Sequence, residues 1–471
     1  MTRRPLLSIS LPLFLAPVSL AQEPFDLVVR DVDLFDARRG RVIEDRTVCI
    51  RDGLVVEVLD AEADVEAEKR IEGAGRLAVP GFVDTHAHLQ VVFERPDGSI
   101  PDRLEPEEDV RAELARLYLD HGTTTIVDMG MTEAWLDQAV AWQHAPRSDW
   151  PNLWFVGSSL NSTLPWDTSP PPHHLQLAGP DEARAKVAAY ADLGLEHLKL
   201  YWKLLEPEMR AVVETARERG LRTYAHMDNN IATMETALEL GVVHYEHFFT
   251  LIPGVLDLDS HRPFLNRRFD LRDPGSIDEF SASLAFFFAY VRANEELELE
   301  LMTLLERIAQ DEGSISTALH VVASAAGRTD VFTSFNPHPV RTGPDLPYYT
   351  DAHREALSTA FDTMLEFVVA AHELGVTLRI GTDCKQGGRA LLGEIALLVE
   401  AGIPMREALQ IATWNGAKAL GLEDRVGTIE PGRRADVVLF ERSPLDDPAH
   451  LFGGKTVVKG GRVHVPASEP R

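Results

Sequence analysis

Val79-Pro80-Gly81-Phe82-Val83-Asp84-Thr85-His86-Ala87-His88 is an apolar run that ends in two histidines one residue apart. Pro80 and Gly81 punctuate it, and its β-branched content reads as a strand over Ala78–His86. Side chains two apart in a strand face one side, so both imidazoles are expected to point together. Short runs of the same kind recur along the chain from Leu77 onward. They cover Thr123–Asp128, Leu153–Gly157, His197–Tyr201, Arg222–His226, Val242–His247, Ser316–Val321 and Thr377–Gly381. Helical patterns separate them over Glu107–Asp120, Asp181–Leu193, Pro207–Arg219, Ile231–Leu240, Phe280–Gln310 and His353–Leu374. Eight strands alternating with helices is the count of an α/β fold, the (β/α)8 TIM barrel.

The two ends of the chain have another character. Phe25–Val32, Val48–Ile50 and Leu54–Val58 are β-like runs parted by Gly and Asp turns. After the helical stretch Pro404–Leu420, Val426–Ile429, Glu430-Pro431-Gly432, Asp436–Phe440 and Thr456–Val465 return to strands and tight turns. The expected organisation is a small composite β-sandwich domain built from 22–76 and 421–471, with the barrel, 77–420, inserted between its halves. Residues 1–21 read as a signal peptide: Arg3 and Arg4, an apolar run from Leu6 to Leu20, then Ser19-Leu20-Ala21 with cleavage after Ala21. The run is short for a membrane span. The expectation is an exported protein, periplasmic or secreted, with no stable membrane association once the signal is removed.

Of 471 residues 45% are hydrophobic and 25% charged, which is ordinary globular composition. With 46 basic against 74 acidic residues the net charge is −28, which argues against nucleic acid and anionic membrane as partners. Two cysteines, Cys49 and Cys384, do not make a disulfide framework and are expected to stay free. Asn161-Ser162-Thr163 fits a glycosylation sequon, relevant only in a eukaryotic secretory route.

Four more polar residues fall at strand ends: Lys199 in the fourth strand, His226 in the fifth, His247 in the sixth, and Asp383 after the eighth. Singly, a strand-end Lys is a solvated charge and a strand-end His a capping or core residue. Six such residues in this order, all due at the carboxyl-end rim where barrel active sites lie, point to one site.

These residues resemble the amidohydrolase superfamily, in its branch similar to imidazolonepropionase and the prolidase-like enzymes. The opening Val79–His88 motif carries the resemblance, together with Ala412-Thr413-Trp414-Asn415-Gly416-Ala417, Gly427-Thr428-Ile429-Glu430-Pro431-Gly432 and Ala435-Asp436-Val437-Val438. It covers nearly the whole chain beyond residue 21. It implies two divalent metals: one held by His86, His88 and Asp383, the other by His226 and His247. Lys199, as N6-carboxylysine, would bridge them, because a carbamate offers two anionic oxygens. Imidazole and carboxylate ligands suit zinc, with manganese, iron or cobalt as alternatives, and some relatives hold one ion. The implied activity is hydrolysis of an amide by a hydroxide formed on the metals, with Asp383 carrying the proton to the leaving group. The substrate is expected to be a dipeptide or N-acyl amino acid, a small molecule or short peptide.

Identical ligands serve cyclic amide, lactone and organophosphate hydrolases, so the ligand set does not separate these. A deaminase disagrees with Lys199, because deaminases of the superfamily tend to be mononuclear and to lack it. A non-enzymatic metal-binding barrel would have lost Asp383 or Lys199, and both are present. Tyr201, two residues after Lys199, and His320, near the end of the seventh strand, are candidate substrate contacts. Ser158–Pro180, with His173 and His174, is a candidate pocket wall. An insertion over about 250–310 is another, with Arg262, Arg267, Arg268 and Arg272 as candidate carboxylate binders. In it Phe286-Phe287-Phe288 would close over an apolar substrate or meet a second subunit in a homo-oligomer. Pro-rich Ser334–Asp351 is a third segment due at that rim. Cys384 is read as packing and His121, at the other barrel end, as structural.

Overall fold

The computed structural model describes residues 23–168, 170–227, 231–256, 277–328, 350–384 and 387–464. Strands β1 (Phe25–Asp36), β2 (Arg41–Arg51), β3 (Leu54–Asp60) and β4 (Ala67–Pro80) open the chain. Ten more occupy the middle: β5 (Phe82–Ala87), β6 (Thr123–Asp128), β7 (Asn152–Phe155), β8 (Ser159–Ser162), β9 (His174–Leu177), β10 (His197–Leu200), β11 (Arg222–Ala225), β12 (His244–Tyr245), β13 (Ser314–Ser316) and β14 (Thr377–Arg379). β15 (Val437–Phe440), β16 (Lys455–Lys459) and β17 (Arg462–His464) complete the set.

Both chain ends share one sheet, in the order β17-β16-β15-β4-β1-β2-β3. The seam is antiparallel, with Val437, Val438 and Leu439 of β15 opposite Pro80, Val79 and Ala78 of β4. Leu27, Val29, Val48, Ile50, Val437 and Leu439 pack into one core there. A strand that starts in this sheet therefore ends beside the first barrel strand, and only Gly81 separates β4 from β5.

The barrel strands are parallel. β5, β6 and β7 form one run, and β8, β10, β11, β12, β13 and β14 the other. The third barrel position is split at Gly157, whose φ of +75° suits glycine, so that β7 pairs with β6 and β8 with β10. The circle closes between the eighth and first strands: the Thr85 N–H donates to Ile380 O at 2.9 Å, and the Asp383 N–H to His86 O at 2.8 Å. Gly381 permits this approach, since a Cβ there would lie 2.6 Å from His86 Cβ.

Three expectations about secondary structure are corrected. The seventh strand is Ser314–Ser316, and a helix, Leu319–Ala325, comes after it. Val321-Val322 suggests a strand, but Ala318 turns the chain at φ +46° and the alanines beyond it continue as a helix. The long helical pattern Phe280–Gln310 is two helices, Ile277–Arg292 and Glu295–Gln310, with the Asn294 side chain capping the second. Val426–Ile429 forms no strand.

Phe286, Phe287 and Phe288 are all buried, with Phe288 against Phe248 and Phe367, so they belong to the core rather than to a lid or subunit contact. Asn161 is also fully buried, its Oδ1 accepting from the Lys203 N–H, which is no position for a glycan. Both cysteines are buried and free, and His121 sits in a short turn before β6, at the amino end of the barrel. No described helix is long and apolar enough to cross a membrane. Residues 1–21, the four arginines 262–272 and most of Ser334–Asp351 lie outside the described residues.

Candidate metal centre

The strand ends bring the six residues to one rim. His86 lies in β5 and His88 just past its end, where Asp128 at the end of β6 holds the next turn by accepting the Leu89 N–H (2.8 Å) and the Gly130 N–H (3.0 Å). Their Nε2 atoms are 3.2 Å apart. Asp383 Oδ1 is 3.1 Å from His88 Nε2 and 3.6 Å from His86 Nε2, while Oδ2 is 3.1 Å from His247 Nε2. The His226 and His247 rings meet with centroids 4.6 Å apart, and His86 and His247 at the same separation. Lys199, in β10, is buried, and its Nζ has no hydrogen-bond partner among the described residues.

Two rim residues carry backbone strain. His247 and Asp383 both have left-handed φ, +61° and +49°, costly for residues with a Cβ. Each is held in place: the His247 N–H donates to Ser316 Oγ at 2.8 Å, and that of Asp383 to β5. Asp84 fixes both sides of the closure, accepting from the His86 N–H (3.1 Å), the Thr382 N–H (3.0 Å) and the Thr382 hydroxyl (2.6 Å).

Burial depresses three of the basic groups at the rim. It holds His86 well below the ordinary imidazole range, with Lys199 adding to the effect, and brings His247 to about 4. It likewise lowers Lys199 to about 8, so a neutral amine is accessible near neutral pH. For Asp383 burial acts upward, but the imidazoles of His86, His247 and His88 outweigh it and hold the carboxylate well below its usual range. For His88 burial acts downward and Asp383 outweighs it, raising the imidazole.

Glu246 and Arg379 do not stand out in the sequence, although both fall inside expected strand runs. Glu246 Oε2 lies 2.5 Å from His86 Nδ1 and accepts the Ser316 hydroxyl at 2.8 Å, while Oε1 accepts Arg379 at 2.5 Å. Burial raises its carboxyl, but Arg379, Lys199 and His86 more than offset that and hold it well below the usual range. A His whose second nitrogen meets a carboxylate is the usual support of a metal ligand.

Around the rim, the Tyr201 ring lies against His226 (4.8 Å) and His174 (4.6 Å), and His173 faces His88 at 6.5 Å. The 158–180 segment, which adds β8 and β9, thus forms a wall beside the rim. Phe249 stacks on His247 at 4.6 Å. His320, in the helix after β13, turns to another buried carboxylate: its N–H donates to Glu394 Oε1 at 2.6 Å and its Nδ1 lies 3.4 Å from the same oxygen.

The donors fit divalent ions. One ligand atom each from His86, His88 and Asp383 lies within 4.8 Å of the others, a spacing a single cation can draw together. His247 meets the other oxygen of Asp383 with His226 against it, and Lys199 Nζ, buried nearby, has no hydrogen-bond partner among the described residues.

The sequence pattern described as amidohydrolase family matches residues 77–262 and 354–463. An adenine deaminase of Methylobacterium nodulans is 24% identical over 457 residues, covering 95% of this chain and 61% of the deaminase. The chain thus spans about three fifths of the length of that relative. An imidazolonepropionase of Geobacillus kaustophilus is 34% identical over 117 residues, 23% of this chain and 27% of that enzyme. Among solved structures, a Xaa-Pro dipeptidase with methionine in its active site superposes with a TM-score of 0.62 at 18% identity, covering 93% of this chain and 99% of that one. At that identity the likeness shows the fold.

Proposed function

The chain belongs to the amidohydrolase family, and we propose that it hydrolyses an amide bond of a dipeptide or N-acyl amino acid, using divalent metals held by His86, His88, Lys199, His226, His247 and Asp383. The observation that carries this reading is the convergence of Asp383 on His86, His88 and His247, with Lys199 buried beside them. The metals are two zinc ions, and Lys199 is carboxylated; burial that favours its neutral amine supports the second point.

Bound ions of this kind polarise a carbonyl and acidify water. The chain's own groups do the rest. Asp383, kept ionised by the surrounding imidazoles, takes the proton of the attacking water and delivers it to the leaving nitrogen. Tyr201, against His226, donates its hydroxyl to the substrate carbonyl or carboxylate. The 158–180 wall limits what enters.

A purified-protein screen tests the assignment: dipeptides and N-acyl amino acids alongside cyclic amides, lactones and phosphotriesters. Turnover confined to lactones or phosphotriesters would remove the amide reading. Deamination is the second reading, favoured by the match to an adenine deaminase over 95% of this chain. Release of ammonia from adenine, with no amine released from any peptide, would establish it instead. Residues 1–21 are proposed as a cleaved signal, and an intact amino terminus on protein from the native host would refute cleavage after Ala21.

A further inference from the structure

The interior of a (β/α)8 barrel is ordinarily filled by bulky branched apolar side chains. Arg379, at the end of β14, occupies that space here with no exposed surface. Its guanidinium makes four hydrogen bonds: Nε to Ser314 Oγ (3.0 Å), one terminal nitrogen to Thr85 Oγ1 (2.7 Å), the other to Tyr245 O (3.0 Å) and Glu246 Oε1 (2.5 Å). The acceptors come from β5, β12 and β13 and the residue after β12, so three elements fix the guanidinium before Glu246 is considered. Volume alone does not call for this residue, since a leucine or methionine fills a barrel layer at no desolvation cost.

We infer that Arg379 is a positioning residue for the metal centre: by holding Glu246 Oε1 it leaves Oε2 facing His86 Nδ1, and so turns His86 with Nε2 toward the ion. The inference rests on the proposed metal function and deepens it. A carboxylate can rotate about its last bond, and an imidazole can carry its proton on either nitrogen. Arg379 on one oxygen, with Ser316 and His86 on the other, removes both freedoms. The His86 Nε2 lone pair then faces His88 Nε2, 3.2 Å away, and Asp383. Arg379 is hydrogen-bonded to none of the six rim residues, and Glu246 is the side chain that links it to His86.

The test is zinc affinity of the full chain, stripped of metal and titrated against a competing chelator, with thermal unfolding of each stripped form measured in parallel. Glu246→Gln and Arg379→Met are each expected to weaken zinc binding by roughly 10- to 100-fold, the usual consequence of losing a group that orients a metal ligand. The double variant is expected to bind no worse than Glu246→Gln alone, because one residue acts through the other. Ser314→Ala, which removes a different partner of the guanidinium, should leave zinc affinity within about threefold, since Arg379 keeps its other bonds. If Arg379→Met fails to fold because it buries an unpaired Glu246, the double variant, which leaves neither charge, carries the test alone. Wild-type affinity in folded Arg379→Met, or a double variant about tenfold weaker than Glu246→Gln, would overturn the inference. Wild-type protein that binds no zinc would remove the metal function itself, a result distinct from either.

Discussion

The two sides of the rim are built differently. On the His86–His88–Asp383 side the chain supplies its own closure: β5 exchanges backbone hydrogen bonds with Ile380 and Asp383 just after β14, Asp84 ties His86 to Thr382, and Asp383 spans to His88 and His247. On the other side Lys199 is buried, and its Nζ has no hydrogen-bond partner among the described residues. Folding thus preorganises one half of the centre, while the proposed function has Lys199 completed by carboxylation. A buried amine without a partner is costly as an ammonium. As the proposed carbamate it would instead carry a negative charge, which suits a cation ligand.

The contrast is tested most severely at the residue shared by both sides. Asp383→Asn should retain much of its zinc and lower kcat by roughly 10²- to 10⁴-fold, the range for a lost general acid–base group. Near-normal turnover would dismiss its proton-transfer role. Lys199→Ala should lose activity by about 100-fold or more, at least what the loss of a ligand-orienting group costs. If the carbamate is what the second side needs, acetate or propionate should restore part of the rate. Full activity in the variant would take Lys199 out of the site.

Tyr201→Phe touches only substrate reading. KM should rise by about fivefold, the worth of one neutral hydrogen bond of roughly 1 kcal/mol, with metal content unchanged. Unchanged KM would assign Tyr201 to packing against His174 and His226.

A last prediction concerns stability beneath the rim rather than activity. Burial holds His244 at about 3 and His197 at about 4, so both are neutral in the folded barrel. The unfolded chain binds their protons near pH 6.5 and the folded chain does not. Stability is therefore lost as pH falls from about 6.5 toward 4, at up to ~1.4 kcal/mol per pH unit per imidazole. His244→Asn should flatten this slope in denaturant titrations between pH 6.5 and 4.5 by one imidazole's share. An unchanged slope would mean that His244 is protonated in the fold.

The six rim residues are legible in the sequence because each ends a strand, and strand ends in a barrel share one face. Glu246 is not. Alternation along a strand places it opposite His247, but His247 leaves the strand at φ +61°, and the alternation fails at that residue. Arg379 is hidden by its type, because a strand arginine is ordinarily solvated. The Phe286–Phe288 run suggests a lid, yet a helix apolar on all sides is a buried one. Ile277–Arg292 packs against helices Leu319–Ala325 and Asp351–Glu373. The seventh strand is displaced because valines favour strands locally, while the turn at Ala318 is set by its N–H bond to Gly381 O across the barrel. Both end segments read as one sheet domain because their β-like runs are bounded by Gly and Asp turns, although β1, β2 and β4 extend to 12, 11 and 14 residues.

Metal dependence itself is decided by metal content and turnover determined on the same preparation, purified without chelators and then stripped. About two divalent ions per chain are expected, with loss of activity on stripping and its return with zinc. Metal near zero with full activity would contradict a hydrolase built on these six residues.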